Sequence, residues 1–559
     1  MKTESRKLAR GLLLGCAAAI LTSSCGGGGG SGGGDGGGSP PPGTISFSAN
    51  AISFKAVGPW AAAPVAQPIS ATVTGITTGT VYYKVVANNA VQNGSNGFFT
   101  VTDVTISGDT GSTSVIPAIP SSIGIGTFKG TITVTACLND STCQTGQLAG
   151  SPKTISVEYD IGTGVDGNTV TPGVVAANAA GTVILRGSGF TGATSVSFGS
   201  VPASSITVVS DSEIDASYPS LPTGSYPVTI GSGSISFTGS LDAVSSPAFT
   251  ATTVLYPSGI GGDSVGQIGT EYDARRAALF ILFRGETYTN PTLVRYAFDG
   301  SQWDAPAEFS VPGLVAFHLT SDGTRLLALV APDSTHTSIV ELDPVTVAQN
   351  EVTTVANPSE ADHPCSFALA DDGNAFVSLS YSPGFAFGTS SRTFTPLSAG
   401  PGCESLVASG NGAFVAMYHS TYDASTGVMT QGGAQTSSAT TADFAGDRFL
   451  DYGAVYSGAG QVLGYVDQGL AEGGVVNPAG TRAYSLTQDQ TDDLTLSTYD
   501  LTAAPTPAGS QYAKYPVLGT PITLANSIAE GLYLGSITPD GATIFLAGPL
   551  ELIVQPVAP

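Results

Sequence analysis

Ser321-Asp322-Gly323-Thr324-Arg325-Leu326-Leu327-Ala328-Leu329 decides the fold. An Asp-Gly turn runs directly into a block of apolar residues, the pattern of a tight turn feeding a buried strand. The order returns at Asp371-Asp372-Gly373-Asn374-Ala375-Phe376-Val377, at Gly410-Asn411-Gly412-Ala413-Phe414-Val415 and at Pro539-Asp540-Gly541-Ala542-Thr543-Ile544-Phe545-Leu546. Looser copies lie at Tyr272–Phe280 and Asn477–Tyr484. A second signature, strand then turn, recurs as Tyr296-Ala297-Phe298-Asp299-Gly300, Val340-Glu341-Leu342-Asp343-Pro344 and Ser497-Thr498-Tyr499-Asp500-Leu501. Asp299 and Asp343 are 44 residues apart, the length of one four-stranded sheet in a repeating array. Residues 251–559 hold about seven such units.

With these repeats, residues 251–559 resemble the seven-bladed β-propellers of exported bacterial proteins, whose blades carry S-P-D-G-x-x-[LV]-[YF]-V; six blades is the alternative count. Upstream, Thr182-Val183-Ile184-Leu185-Arg186, Gly187-Ser188-Gly189-Phe190, Ser195-Val196-Ser197-Phe198-Gly199, Pro202-Ala203, Ser210-Asp211-Ser212-Glu213-Ile214 and Pro222-Thr223-Gly224-Ser225-Tyr226-Pro227-Val228 follow one another. This order resembles an IPT/TIG domain, an Ig-like sandwich, over residues 168–245. Within it Gly187–Gly192 satisfies G-x-G-x-x-G, but a dinucleotide site needs a helix next, and a strand pattern follows. Residues 44–162 alternate apolar and polar side chains at Thr44–Ser48, Val81–Val86 and Gly130–Thr135, which predicts a further sandwich. Its Gly126-Thr127-Phe128-Lys129-Gly130-Thr131-Ile132-Thr133-Val134 is similar to the late strand pair of bacterial Ig-like domains. The expected class is therefore all-β: two Ig-like β-sandwiches followed by a β-propeller.

Composition agrees. The chain has 559 residues, 41% hydrophobic and 11% charged, with 73 Gly and 35 Pro, so it fills cores and covers its surface with neutral polar groups. Lys plus Arg number 18 against 42 Asp plus Glu, a net charge of −24 that repels phosphate backbones and excludes nucleic acid as a partner.

Lys2, Arg6, Lys7 and Arg10 precede a short apolar run, the layout of an export signal over residues 1–24 and too short to span a bilayer. Leu21-Thr22-Ser23-Ser24-Cys25 resembles the lipobox of bacterial lipoproteins, although Thr22 replaces the usual aliphatic residue. The resemblance implies a diacylated Cys25 as first mature residue, with Cys16 the rival acceptor, and Gly26 after it implies outer-membrane sorting. Residues 25–43 then form a tether, GGGGGSGGGDGGGSPPP after the cysteine, with an end-to-end distance of about 20–25 Å. Membrane contact is expected through the lipid alone.

Setting aside Cys16 and Cys25, an even remainder in an exported chain points to two disulfides. Cys137 and Cys143 flank a hairpin loop; their spacing is not CxxC and no histidine is near, so zinc is not expected there. Cys365 lies 11 residues before Phe376 and Cys403 lies 11 before Phe414, placing both at one position of adjoining repeats.

No HExxH, catalytic triad spacing, P-loop or paired CxxC occurs. The four histidines, His318, His336, His363 and His419, all fall in the repeats. His318, His363 and His419 are the candidates for facing a central channel, and each also reads as an ordinary hydrogen-bonded residue. No catalytic residue, metal ligand or cofactor is assigned; the acidic loop at 489–493 leaves only calcium open, without the EF-hand order. Asp322, Asp372 and Asp540 read as turn caps because they recur at one position. Trp303 reads as blade packing. The expected function is a lipid-anchored outer-membrane binding or scaffold protein, its sandwiches a stalk and its propeller a recognition surface for a protein or glycan. The alternative is a propeller enzyme, lyase or glycosidase, with two carboxylates about 5–9.5 Å apart.

Overall fold

A computed structural model describes Ile20–Thr22 and residues 43–558 except 77, 90–96, 108, 232–234, 257–264, 286–290, 399–402, 404–405, 418–419, 432–440, 444, 452, 459–460, 467–470, 489–493, 509–511, 525–532 and 549. Cys25, the tether, His419 and the acidic loop lie outside the described residues. Among the described residues, apart from one 3-10 turn at Pro120–Ser122, every element is a strand. The chain is all-β, two Ig-like sandwiches followed by a β-propeller, and it divides into two compact units.

The first unit is the sandwich that ends at Gly162. One sheet runs Thr80–Asn88, Gly126–Leu138, Lys153–Ile161, Ala51–Ala56, the last pair parallel; the other runs Thr44–Phe47, Gln67–Thr74, Thr110–Pro117, Phe99–Val101. Ile20–Thr22 pairs antiparallel on the outer edge of Thr80–Asn88. Period-two alternation buries Ile132, Ile155, Val157, Tyr159, Phe54 and Val115 between the sheets. Cys137 and Cys143 are disulfide-bonded across the loop that follows Gly126–Leu138.

The second unit holds residues 163–559 and Trp60–Ala62. Its sandwich packs the sheet Thr169–Thr171, Gly181–Arg186, Glu213–Tyr218, Ser205–Ser210 against Val174–Ala176, Ser240–Val244, Gly224–Gly231, Ser195–Phe198, Val201–Pro202, around Val183, Leu185, Phe198 and Ile214. Gly187–Gly192 is a turn between strands. The Asp211 carboxylate accepts from the Gly189 and Thr191 N–H groups there, and Ser195–Phe198 follows, so no helix dipole is available for a pyrophosphate.

The repeats form seven four-stranded antiparallel blades, strands a to d from the inside outward. Blades 1 to 6 occupy 265–310, 314–356, 364–396, 407–431, 441–465 and 471–524. Blade 7 takes strands a to c from Tyr533–Ile537, Thr543–Ala547 and Glu551–Pro556, and its strand d is Thr252–Leu255 from the start of the domain. The a strands adjoin in cyclic order and the seventh returns to the first, so the ring is closed. Strands a of blades 6 and 7 also pair directly, Gly473 with Tyr533 and Gly474 with Leu534. The approach is close: a Cβ on Gly535 would stand 3.0 Å from the Gly474 carbonyl oxygen.

The a–b turn explains the repeat. Asp322 Oδ1 accepts from the Thr324 N–H and the Thr320 hydroxyl, Asp540 Oδ1 accepts from the Ala542 N–H and the Thr538 hydroxyl, and Asn411 serves the same way. In these three blades a Ser or Thr two residues before the Asp or Asn completes the cap, whereas blade 3 has Ala370 at that position. Trp303 packs between blades 1 and 7, its ring 5.6 Å from Phe249 and 5.9 Å from Phe545. Trp60 is buried 6.0 Å from Phe376 of blade 3.

Candidate functional site

A four-stranded meander sends its a–b and c–d turns to one face of the ring and its b–c and d–a connections to the other. The first face of blades 1 to 3 carries the second sandwich. In blade 1, Arg275 pairs with Asp242 and donates from Nη1 to the Asp322 carbonyl at 3.1 Å. In blade 2, the Ser321 carbonyl accepts from the Gly173 N–H at 3.0 Å. In blade 3, the Asp372 carbonyl accepts from the Asp166 N–H at 2.6 Å, Asn374 Nδ2 donates to the Gly164 carbonyl at 2.6 Å, and the Asp371 carbonyl accepts from the Thr169 hydroxyl. Gly373, at φ +84°, is required there, because a Cβ would lie 2.1 Å from the Asp166 carbonyl oxygen.

At the centre of this junction Arg186, last residue of strand Gly181–Arg186, is fully buried. Its Nη1 donates to Glu213 Oε2 at 2.7 Å, and its Nε lies 3.0 Å from Asp371 Oδ1, at ion-pair distance but off the hydrogen-bond line. Asp372 accepts from the Asn374 N–H at 3.0 Å and from the Tyr422 hydroxyl of blade 4. One guanidinium faces three carboxylates out of water, so the cluster carries excess negative charge that a bound proton relieves. Burial pushes Asp371 up to about 7, partly offset by Arg186, and pushes Asp372 up to about 6, partly offset by Tyr422. Burial also raises Glu213 against the pull of Arg186. The carboxylates brought together here are sealed from any polymer, so this is an architectural cluster.

His318 is on strand a of blade 2 with its side chain 38% exposed. Nδ1 is 3.2 Å from Glu271 Oε2 of blade 1, and Nε2 is 2.9 Å from the Phe367 carbonyl of blade 3. Both partners are acceptors, an arrangement that favours the charged ring with both nitrogens donating. Desolvation opposes that charge, but the Glu271 hydrogen bond and charge and the Phe367 carbonyl prevail, and the pKa is raised. A ring with both nitrogens donating has no lone pair for a metal or a proton. His318 ties three inner strands together.

The opposite face presents His336, His363, Tyr381 and the Cys365–Cys403 disulfide. His336 Nδ1 is 2.9 Å from the exposed Asp333 carboxylate, which is lowered to about 2, first by that bond. His363 lies in the d–a connection before Pro364, not on strand a, and at the other end of the ring from His318. The Asp362 carboxylate accepts from the Ser359, Tyr381 and Ser382 N–H groups and from the Ser382 hydroxyl, which fixes the loops around His363 and leaves Tyr381 78% exposed.

Arg186 and Asp371 were not singled out from sequence. Their signal was local: Arg186 is a cation closing the apolar strand Thr182–Leu185, and Asp371 doubles the acidic residue where sister turns have Ser321 or Pro539.

Residues 168–246 match the IPT/TIG domain family. No curated protein matches the chain. Among solved structures it is similar to the Dos1 propeller, at 10% identity and TM-score 0.34 over 50% of this chain and 75% of that one. It is also similar to the extracellular domain of a hybrid two-component system protein from B. thetaiotaomicron, at 11% identity and TM-score 0.33, covering 55% of this chain and 40% of that one. Among the described residues no helix is long and apolar enough to cross a membrane.

Proposed function

We propose that this chain is an outer-membrane lipoprotein, anchored through Cys25, whose propeller binds a protein or glycan on the face carrying its b–c and d–a connections. The observation that carries the reading is the occupied first face: the IPT/TIG sandwich covers the a–b turns of blades 1 to 3 through Arg186, Arg275 and Gly173, so a partner meets the other side. Tyr381, held out by the loop that Asp362 organises, is the aromatic anchor available there. Two disulfides suit an exported chain.

The test has two arms. Palmitate labelling in cells should vanish in Cys25→Ala and persist in Cys16→Ser. The full chain applied to envelope glycans and to isolated outer-membrane proteins should bind one of them, and Tyr381→Ala should weaken that binding at least tenfold while Asp299→Ala, in the c–d turn of blade 1 on the other face, leaves it unchanged. Depolymerisation of a glycan by the chain would replace the binding reading with the enzymatic one.

A further inference from the structure

We propose that His363, Cys365 and Cys403 form a redox-gated site for a thiophilic cation of the zinc or copper(I) class, opened when a dithiol reduces the Cys365–Cys403 disulfide. One ligand atom from each of the three lies within 4.8 Å of the others, with Cys365 buried and the other two reaching solvent. A tetrahedral zinc site with Zn–S of about 2.3 Å sets its sulfurs about 3.7 Å apart, so the two sulfurs need only separate once their bond is broken. The fourth position is left to water.

The histidine is already arranged as a ligand. The Ser380 hydroxyl donates to the Ala361 carbonyl at 3.2 Å and accepts from the His363 backbone N–H at 3.0 Å. The same hydroxyl lies 3.1 Å from His363 Nδ1 and so holds the ring as well as its backbone. A ring positioned by a hydrogen-bonding neighbour is the support that metal-binding histidines use. Asp362, accepting four hydrogen bonds, holds the loops on both sides in place without the disulfide.

The chemistry balances. A thiolate of the dithiol attacks the exposed Cys403 sulfur and breaks the Cys365–Cys403 bond, expelling the Cys365 thiolate. The reductant's second thiolate then closes its own disulfide and releases Cys403. Two electrons pass to the protein, and the cation takes up both thiolates with loss of their protons.

The probe is Co2+, titrated into the full chain carrying Cys16→Ser and Cys25→Ser, with and without a dithiol that is removed anaerobically. Expected are one equivalent bound with a thiolate-to-cobalt absorption band in the reduced chain and none in the oxidised chain. Zn2+ should displace the band. Ser380→Ala, which keeps all three ligands, should weaken binding by about 10–100-fold, and His363→Ala should weaken it further. The band should survive Cys137→Ser/Cys143→Ser and disappear in Cys365→Ser/Cys403→Ser. A reduced chain that keeps its β-sheet circular dichroism and shows no band overturns the proposal, as does a reduced chain that unfolds or a band lost only with Cys137 and Cys143.

Discussion

Arg186 of the IPT/TIG sandwich and Asp371 of blade 3 meet at 3.0 Å with neither side chain exposed to solvent. They are 185 positions apart in sequence, so this contact reports the docking of one domain on the other. Breaking a buried pair from one side strands the partner's charge, which typically costs about 3–5 kcal/mol. Arg186→Met should therefore destabilise the protein by about that amount in denaturant unfolding followed by tryptophan fluorescence. Arg186→Met combined with Asp371→Leu should recover most of the loss; a double variant no better than the single one would remove Asp371 as the partner.

The same cluster sets a pH dependence. Asp371 and Asp372 are raised to about 7 and about 6, above the ordinary carboxylate value of 3.8. A raised folded pKa contributes stability that is full below the unfolded value and is lost as pH rises through the folded one. The junction should thus be firmer at pH 5 than at pH 8, read as a higher unfolding midpoint. Asp371→Asn, which cannot ionise, should flatten that slope.

His318 gives a signal at a single residue. Its ring bridges Glu271 and the Phe367 carbonyl, so its raised pKa belongs to a stitch that holds below the unfolded histidine value and loosens as pH climbs through the folded one. Histidine NMR titration should place His318 above about 6.5 in the native protein, with Glu271→Gln lowering it. A titration unmoved by Glu271→Gln would show that the carboxylate is not what holds the proton.

Ring closure depends on the strand Thr252–Leu255 pairing with Glu551–Val554. In an edge strand alternate N–H groups point at the neighbour, so replacing both Thr253 and Val254 by proline must remove one ladder bond and leave its partner unpaired, a loss of about 1–3 kcal/mol. Thermal unfolding should shift down accordingly, and the last blade should become the first site of protease cleavage.

The two disulfides should differ in worth. Cys365–Cys403 closes a separation of 38 and Cys137–Cys143 one of 6. Loop-closure entropy assigns about 4 and about 2 kcal/mol respectively. Paired Cys→Ser variants measured by urea unfolding should show the blade cross-link to be the larger loss.

Much of the fold was legible because its signals are short-range. Asp322-Gly323 and its sister turns announce themselves by residue type, and the IPT/TIG order is contiguous. The functional constellations were harder. His318 stands out in the sequence as a candidate for facing the channel, yet its partners Glu271 and Phe367 come from the neighbouring blades, and nothing in Ala316-Phe317-His318-Leu319 specifies them. Thr252–Leu255 is four residues without clear alternation, so its place as the outer strand of the last blade follows only from the closed ring. The hairpin Thr506–Ala508 with Tyr512–Lys514, which attaches beside blade 5, lengthens the sixth repeat and blurs the 44-residue period.

Because the final sheet is sewn from both ends of its domain, no growing chain can complete the ring before Glu551–Pro556 has emerged. Until then Thr252–Leu255 waits without its mate, and the six earlier sheets form an open arc with bare edges. A ring built this way has its seam where its two ends meet, and the seventh sheet exists only once both are present.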